Sequence, residues 1–176
     1  MSQLKVNSII PVGGVASGQS GGVIQTVTVH KTNAFSHATA TFTDITGLSV
    51  DITPVAANSK IFIVINVICG GQGNSFPAFR LRRNGTTNIA LGTSQGSGQT
   101  QVSFGCRFVN ETEIDSLGYT FVDTPSYSVG DTLTYNLRIA SMLNNYSVRV
   151  NRPGPTANLS YALFGTSSIT CQEVGT

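Results

Sequence analysis

Charge is scarce in this sequence. Ten Lys and Arg stand against eight Asp and Glu, so 10% of the residues are charged, where roughly 25% is ordinary for soluble domains. A nucleic-acid partner is therefore not expected, because a phosphate backbone is met by a clustered basic stripe and only Lys5, Lys31 and Lys60 supply lysine here. Disorder does not fit either. Disordered chains are charge-rich and poor in β-branched and aromatic residues, whereas Val, Ile and Thr recur throughout this one. Ser, Thr, Asn and Gly take the place of charge and wet the surface through hydroxyls and amides.

Long hydrophobic runs are also missing. The longest, Ile61 to Cys69, is broken by Asn66 and is far short of the about 20 residues of a membrane span, so no membrane insertion is expected. The first residues lack the continuous apolar stretch of about 7 to 15 residues of a cleaved signal, so none is expected. Three cysteines, Cys69, Cys106 and Cys171, cannot all pair within one chain. Each sits in a strand-like apolar pattern, where a free thiol behaves as a small hydrophobe. They are expected to be buried and reduced, which suits folding in a cytosol, with a single intrachain bridge left open.

Catalytic and ligand-binding signatures are sparse. No Gly-x-Ser-x-Gly elbow is present, and the three cysteines lack the close paired spacing of structural zinc sites. His30 and His37 have Lys, Thr and Ser as neighbours and are expected at the surface. "GGQGN" and "GTSQGSGQT" match neither phosphate-binding pattern and are expected as loop tips. In "NETEID", Glu111, Glu113 and Asp115 alternate, so an extended segment would place them on one side as a candidate glycosidase or calcium cluster. A solvated loop between strands is the plainer expectation. No cofactor, metal or enzymatic activity is expected.

What is present is period-two alternation between turn signals. "DTLTYNLRIA" puts Leu133, Tyr135, Leu137 and Ile139 on one face; "GLSVDIT" does so with Leu48, Val50 and Ile52, and "QVSFGCRFV" with Val102, Phe104, Cys106 and Phe108. "KIFIVINVIC" is apolar on both faces, as a central strand covered on two sides would be. Further strands are expected near 23–31, 78–83, 86–91, 119–123, 146–151, 159–164 and 167–174. About ten short strands without a helical crossover predict one all-β domain, an antiparallel β-sandwich of jelly-roll-like type or else a barrel. Asn84-Gly85 in "AFRLRRNGTTNIALG" marks a hairpin. A loop of Arg83, Asn84 and Gly85 would set Phe79 opposite Ile89 and avoid placing Arg80 there.

The stretch "SIIPVGGVASGQSGGVIQTVTV", Ser8 to Val29, runs from an apolar plug through glycine and serine into an alternating strand. It divides the chain into an extended arm and tether, residues 1–22, and a sandwich body, residues 23–176. Fully extended, the arm would reach roughly 70 Å at about 3.3 Å per residue. Its apolar side chains Val6, Ile9, Ile10 and Val12, with Pro11, are therefore candidates for docking on another chain's sheet edge or groove.

The opening "MSQLKVNSIIPVGG", its glycine-rich tether and "VIQTVTVHKT" resemble the start of small tail-fibre or appendage proteins of tailed bacteriophages, especially those of marine bacteria. "FTDITGLSVDITPVAANSKIFIVINV", "AFRLRRNGTTNIALG", "FVDTPSYSVGDTLTYNLRIAS" and "FGTSSITCQEV" continue the resemblance in the same order. It implies a virion protein, folded in the host cytoplasm and exposed on the particle, usually a homotrimer. Residues 1–22 would attach to other virion proteins and the β-rich body would face the host. The chain is too short for the long shaft of a full fibre. Amide-rich loops bearing Asn144, Asn145, Tyr146 and Arg152 suit a host-surface glycan. The competing expectations are a capsid decoration or cement protein without a ligand site, and a polysaccharide depolymerase using Glu111, Glu113 or Asp123.

Overall fold

A computed structural model describes residues 21–143, 145–154, 160 and 162–176. The arm residues Val6, Ile9, Ile10, Pro11 and Val12 lie outside this set, as does Asn144. Eleven strands occur among the described residues, and no helix does: β1 (Val23–Lys31), β2 (Phe35–His37), β3 (Thr43–Ile52), β4 (Lys60–Gly71), β5 (Pro77–Arg83), β6 (Thr87–Ile89), β7 (Phe104–Gly105), β8 (Ile114–Asp123), β9 (Leu133–Ser141), β10 (Val148–Val150) and β11 (Ser167–Val174).

They form two antiparallel sheets. In the first, β4 is central. One edge pairs with β8 from Ile61 to Gly70, and the other takes β11 along Lys60–Asn66 and β10 along Cys69–Gly71; β1 lies beyond β11 and β2 beyond β10. In the second the order is β3-β9-β5, with β7 and β6 sharing the far edge of β5. With β6 and β7 counted as one strand and the short β2 and β10 set aside, the pairing is nested. First pairs with last (β1·β11), second with seventh (β3·β9), third with sixth (β4·β8) and fourth with fifth (β5·β6/β7). Two sheets wound in that order are a jelly roll.

Alternation supplies the core. Ile61, Ile63, Ile65, Val67 and Cys69 of β4 and Ile169 and Cys171 of β11 point inward. They meet Leu48, Val50 and Ile52 of β3, Phe79 and Leu81 of β5, and Leu133, Tyr135, Leu137 and Ile139 of β9, all at most 2% exposed. Burying such a side chain contributes about 1.5–3 kcal/mol. Phe104 stacks between Phe79 and Tyr119, with ring centroids at 4.7 and 4.9 Å.

Several details depart from the sequence reading. Leu81, not Phe79, faces Ile89. Asn84 and Gly85 both adopt positive φ (50° and 70°), and Thr86 N–H closes the turn onto Arg83 O at 3.3 Å. The third loop residue is thus Thr86, following the Asn-Gly pair, and strand pairing resumes at Arg83 and Thr87. Outward-facing Thr134 holds this tip, because Asn84 N–H donates to Thr134 O and Thr134 N–H donates to the Asn84 side-chain oxygen.

"QVSFGCRFV" yields only the two-residue β7. Phe104, Cys106 and Phe108 reach the main core, but Val102 packs on the outside of the second sheet with Phe42, Ala78 and Ala140. Strand β8 begins five residues earlier than expected, while β2 lacks an expected counterpart. Residues 162–164 are not strand. The outer face of β4 is only partly covered: Gly165 packs on Ile68, whereas Phe62 and Val64 stay half-buried and Asn66 exposed.

Two buried carboxylates brace one end of the sandwich, on either side of Ile61 of β4. Glu173 of β11, 0% exposed, accepts hydrogen bonds from Gln25 Nε2, Val55 N, Ala56 N and Ser59 Oγ at 2.7–3.1 Å, which ties the 53–59 loop to the sheet. Burial pushes its pKa up, but these donors prevail and hold it below the usual value. Asp123, ending β8, receives Tyr135 Oη at 2.7 Å and Arg83 Nη1 at 2.6 Å.

Candidate functional site

The outer face of the second sheet carries the densest polar chemistry. Alternation turns Arg80 and Arg82 of β5, Asn136 and Arg138 of β9 and Asp44 of β3 to this side, since their sequence neighbours fill the core. Asp44 bridges two guanidiniums, Arg82 Nη2 at 2.5 Å and Arg138 Nε at 3.0 Å; Arg82 Nε also donates to Asn136 Oδ1 at 3.2 Å. Arg80 lies over the Phe42 ring, its Cζ 3.9 Å from the centroid, and donates from Nε to Gln101 O at 2.8 Å. Burial and then Arg138 push the Arg80 pKa down. Asp51 of β3 also turns to this face, accepting Thr134 Oγ1 at 2.6 Å, so two carboxylates stand against three guanidiniums and the face keeps one net positive charge.

Beside it opens a groove of about 620 Å³. Its apolar floor is Phe76, Pro77, Ala78, Val102 and Met142, and Thr100, Cys106 and Arg107 stand along it. The Arg107 Cζ lies 5.3 Å from the Phe76 ring centroid, within cation–π range, and its Nη2 donates to Asn74 Oδ1 at 3.2 Å. The segment expected as a loop tip, "GTSQGSGQT", supplies the Gly98 and Thr100 wall. The residues come from four separated stretches, and only the topology brings them together. The outward arginines of "AFRLRR" were the one local signal of this face.

The glycan candidates read from sequence fall nearby in part. Met142 N–H donates to Phe76 O at 3.0 Å, and Met142 opens the segment carrying Asn145 and Tyr146. That segment is therefore at the groove's end of the sandwich. Asn145 is exposed with φ 71°, its N–H donating to Ala38 O; Tyr146 is 37% exposed. Arg152 lies past the other end of β10, half-buried, with Nε buried and unpartnered.

The other candidates separate. Glu113 is spent on its own loop, accepting Val109 N–H, Asn110 N–H and Asn110 Nδ2, and these donors lower its pKa. Asp115 lies in β8, exposed. Glu113 and Asp123 flank opposite ends of this ten-residue strand, about 30 Å apart at about 3.3 Å per residue. Paired glycosidase carboxylates stand roughly 5 to 9.5 Å apart, so these two cannot act together. His37 Nε2 contacts Thr41 O at 2.7 Å and Thr39 Oγ1 at 3.0 Å, and His30 is exposed on β1.

All three cysteines are free, with Cys69 and Cys171 buried and Cys106 half-buried. Burial pushes Cys171 up to about 12. Among the described residues no group of three or more His, Cys, Asp or Glu is placed to hold a metal ion.

No protein-family model matches the chain, and no curated protein matches it in sequence. Among solved structures it is similar to infectious bursal disease virus, Gx strain, at 12% identity and TM-score 0.38, covering 94% of this chain and 43% of that one. It is also similar to dimeric latent PorU from Porphyromonas gingivalis at 11% identity and TM-score 0.33, covering 95% and 14%. The chain thus spans less than half of either. At such identity and overlap, the functional reading rests on this chain's own residues.

Proposed function

We propose that this chain is a structural protein of a tailed-phage particle, of tail-fibre or neck-appendage type. Residues 1–22 dock on another virion protein, and the jelly roll meets a host-surface glycan. The observation that carries the reading is the groove: an apolar floor with Arg107 at its edge, at the end of the sandwich that bears Asn145 and Tyr146. A sugar ring lays its C–H face on Phe76 and Met142 and offers hydroxyl or carboxylate oxygens to Arg107 and Thr100. The surrounding surface of hydroxyls and amides supports service where salt varies, because exposed ion pairs contribute little.

The first sheet supports self-association. Half-buried Phe62 and Val64 of β4 and exposed Val122 of β8 form an apolar strip on its outer face, which a homotrimer covers. The same strip supports a second reading, a capsid decoration protein that clamps its neighbours and needs no ligand.

A glycan array and cell-adsorption assay with the full chain separate the two. Phe76→Ala with Arg107→Ala abolishes binding on the first reading, while binding by neither wild type nor variant leaves the decoration reading, in which particles lacking the chain lose thermal stability. Ile9→Asp with Ile10→Asp lowers incorporation into particles, and undiminished incorporation overturns the docking role of the arm.

A further inference from the structure

We propose that Cys69 and Cys106 are a redox pair that closes, in the presence of a small-molecule disulfide, into one bond joining the two sheets. The inference is independent of the virion reading. Cys69 belongs to β4 of the first sheet and is 0% exposed, with Sγ 3.8 Å from Gly70 O. Cys106 follows β7 at the edge of the second sheet, where its N–H donates to Pro77 O at 3.2 Å. Both side chains join the same core cluster, and the residues around them set them at one level: Phe104 stacks on Tyr119, which pairs with Ile65 of β4, and Phe108 lies against Gly71 of β4, so Cys106 between them falls opposite the stretch of β4 that holds Cys69. Neither is bridged, and Cys106 also stands along the open groove. The pair therefore has one member that solvent reaches and one that it does not.

Cys171 is excluded by register. It pairs with Ile63, six residues along β4 from Cys69, or about 20 Å at about 3.3 Å per residue. A disulfide needs Cα atoms within about 7 Å.

The two thiols differ in acidity in the direction that exchange needs. The neighbouring Cys69 thiol lowers the pKa of Cys106 against burial and nearby Asp115, which raise it; burial foremost, and then Cys106, raise that of Cys69. Cys106 is thus the attacking thiolate. Its Sγ attacks one sulfur of a disulfide such as oxidised glutathione, forms a mixed disulfide and releases one small thiolate. Cys69 then attacks the Cys106 sulfur, its proton passing to the second small thiolate as that leaves. Two protein thiols are oxidised and one small disulfide is reduced to two thiols.

The test incubates the full chain with oxidised glutathione, then determines intact mass and maps peptides without reductant. The expected result is a loss of about 2 Da, a single Cys69–Cys106 bond, free Cys171, and a thermal midpoint raised by several degrees that dithiothreitol reverses. Cys171→Ser forms the bond as wild type does, and Cys106→Ser forms none. An unchanged mass, glutathione retained on Cys106, or a bond to Cys171 in the wild type overturns the pairing, whatever the variants do.

Discussion

Replacing Glu173 with Gln keeps the shape of the side chain and removes one acceptor and the charge. In the native protein Oε1 accepts Val55 N, Ala56 N and Ser59 Oγ, while Oε2 accepts Gln25 Nε2 and Val55 N. Glutamine has one acceptor oxygen, so its amide must face a donor. Gln25 cannot relieve the conflict by flipping, because the same Nε2 donates to Thr53 O at 2.7 Å. Hydrogen bonds to a charged group contribute about 1.5–3 kcal/mol against about 1 for neutral ones, and a stranded buried group costs about 1–3. The retained bonds weaken and one donor is stranded, for a loss of about 3 kcal/mol, or a thermal midpoint lower by about 6–12 °C in a chain of this size.

The sign of the pH dependence follows from the depressed pKa of Glu173. Its contribution is complete above the unfolded value of about 4.3 and is lost as pH falls through the lower folded value. Urea or thermal unfolding of both proteins therefore shows the widest gap near neutrality and a narrower one towards about pH 3. A gap under about 1 kcal/mol at neutrality, or one that does not change on acidification, refutes the reasoning.

Tyr135→Phe removes the hydroxyl that donates to Asp123 and leaves that buried carboxylate to Arg83 alone; urea denaturation is expected to show a loss of about 1–3 kcal/mol. Two glycines separate backbone strain from crowding. At Gly85, φ is 70° and a Cβ would meet nothing within 4 Å, so Gly85→Ala costs about 1 kcal/mol. At Gly70 a Cβ would come within 2.4 Å of Arg152 O and 2.9 Å of Pro153 Cα, so Gly70→Ala lowers the thermal midpoint further. Equal midpoints for the two variants would contradict that distinction.

Alternation is a local property, and it was legible. The inward sets Leu48, Val50 and Ile52, and Leu133, Tyr135, Leu137 and Ile139, are buried as their spacing requires, because a strand turns every second side chain to one face. The Asn-Gly pair announced a hairpin, yet not its register, since the closing residue depended on Thr134, which lies 50 residues along the chain and grips Asn84. Val102 shared the apolar pattern of its neighbours and still went to the outer face, because only β7 pairs there. Nothing local distinguishes Glu173 as a buried latch; its donors come from β1 and the 53–59 loop.

By itself, then, the sequence determined that the chain is built from amphipathic strands with a polar, weakly charged exterior, since periodicity and composition are written residue by residue. Only tertiary structure decided the jelly-roll order, the groove between Phe76, Val102 and Met142, and the meeting of Cys69 with Cys106. Each of these depends on which strand edge finds which partner, and that choice is settled by pairing and burial between segments dozens of residues apart.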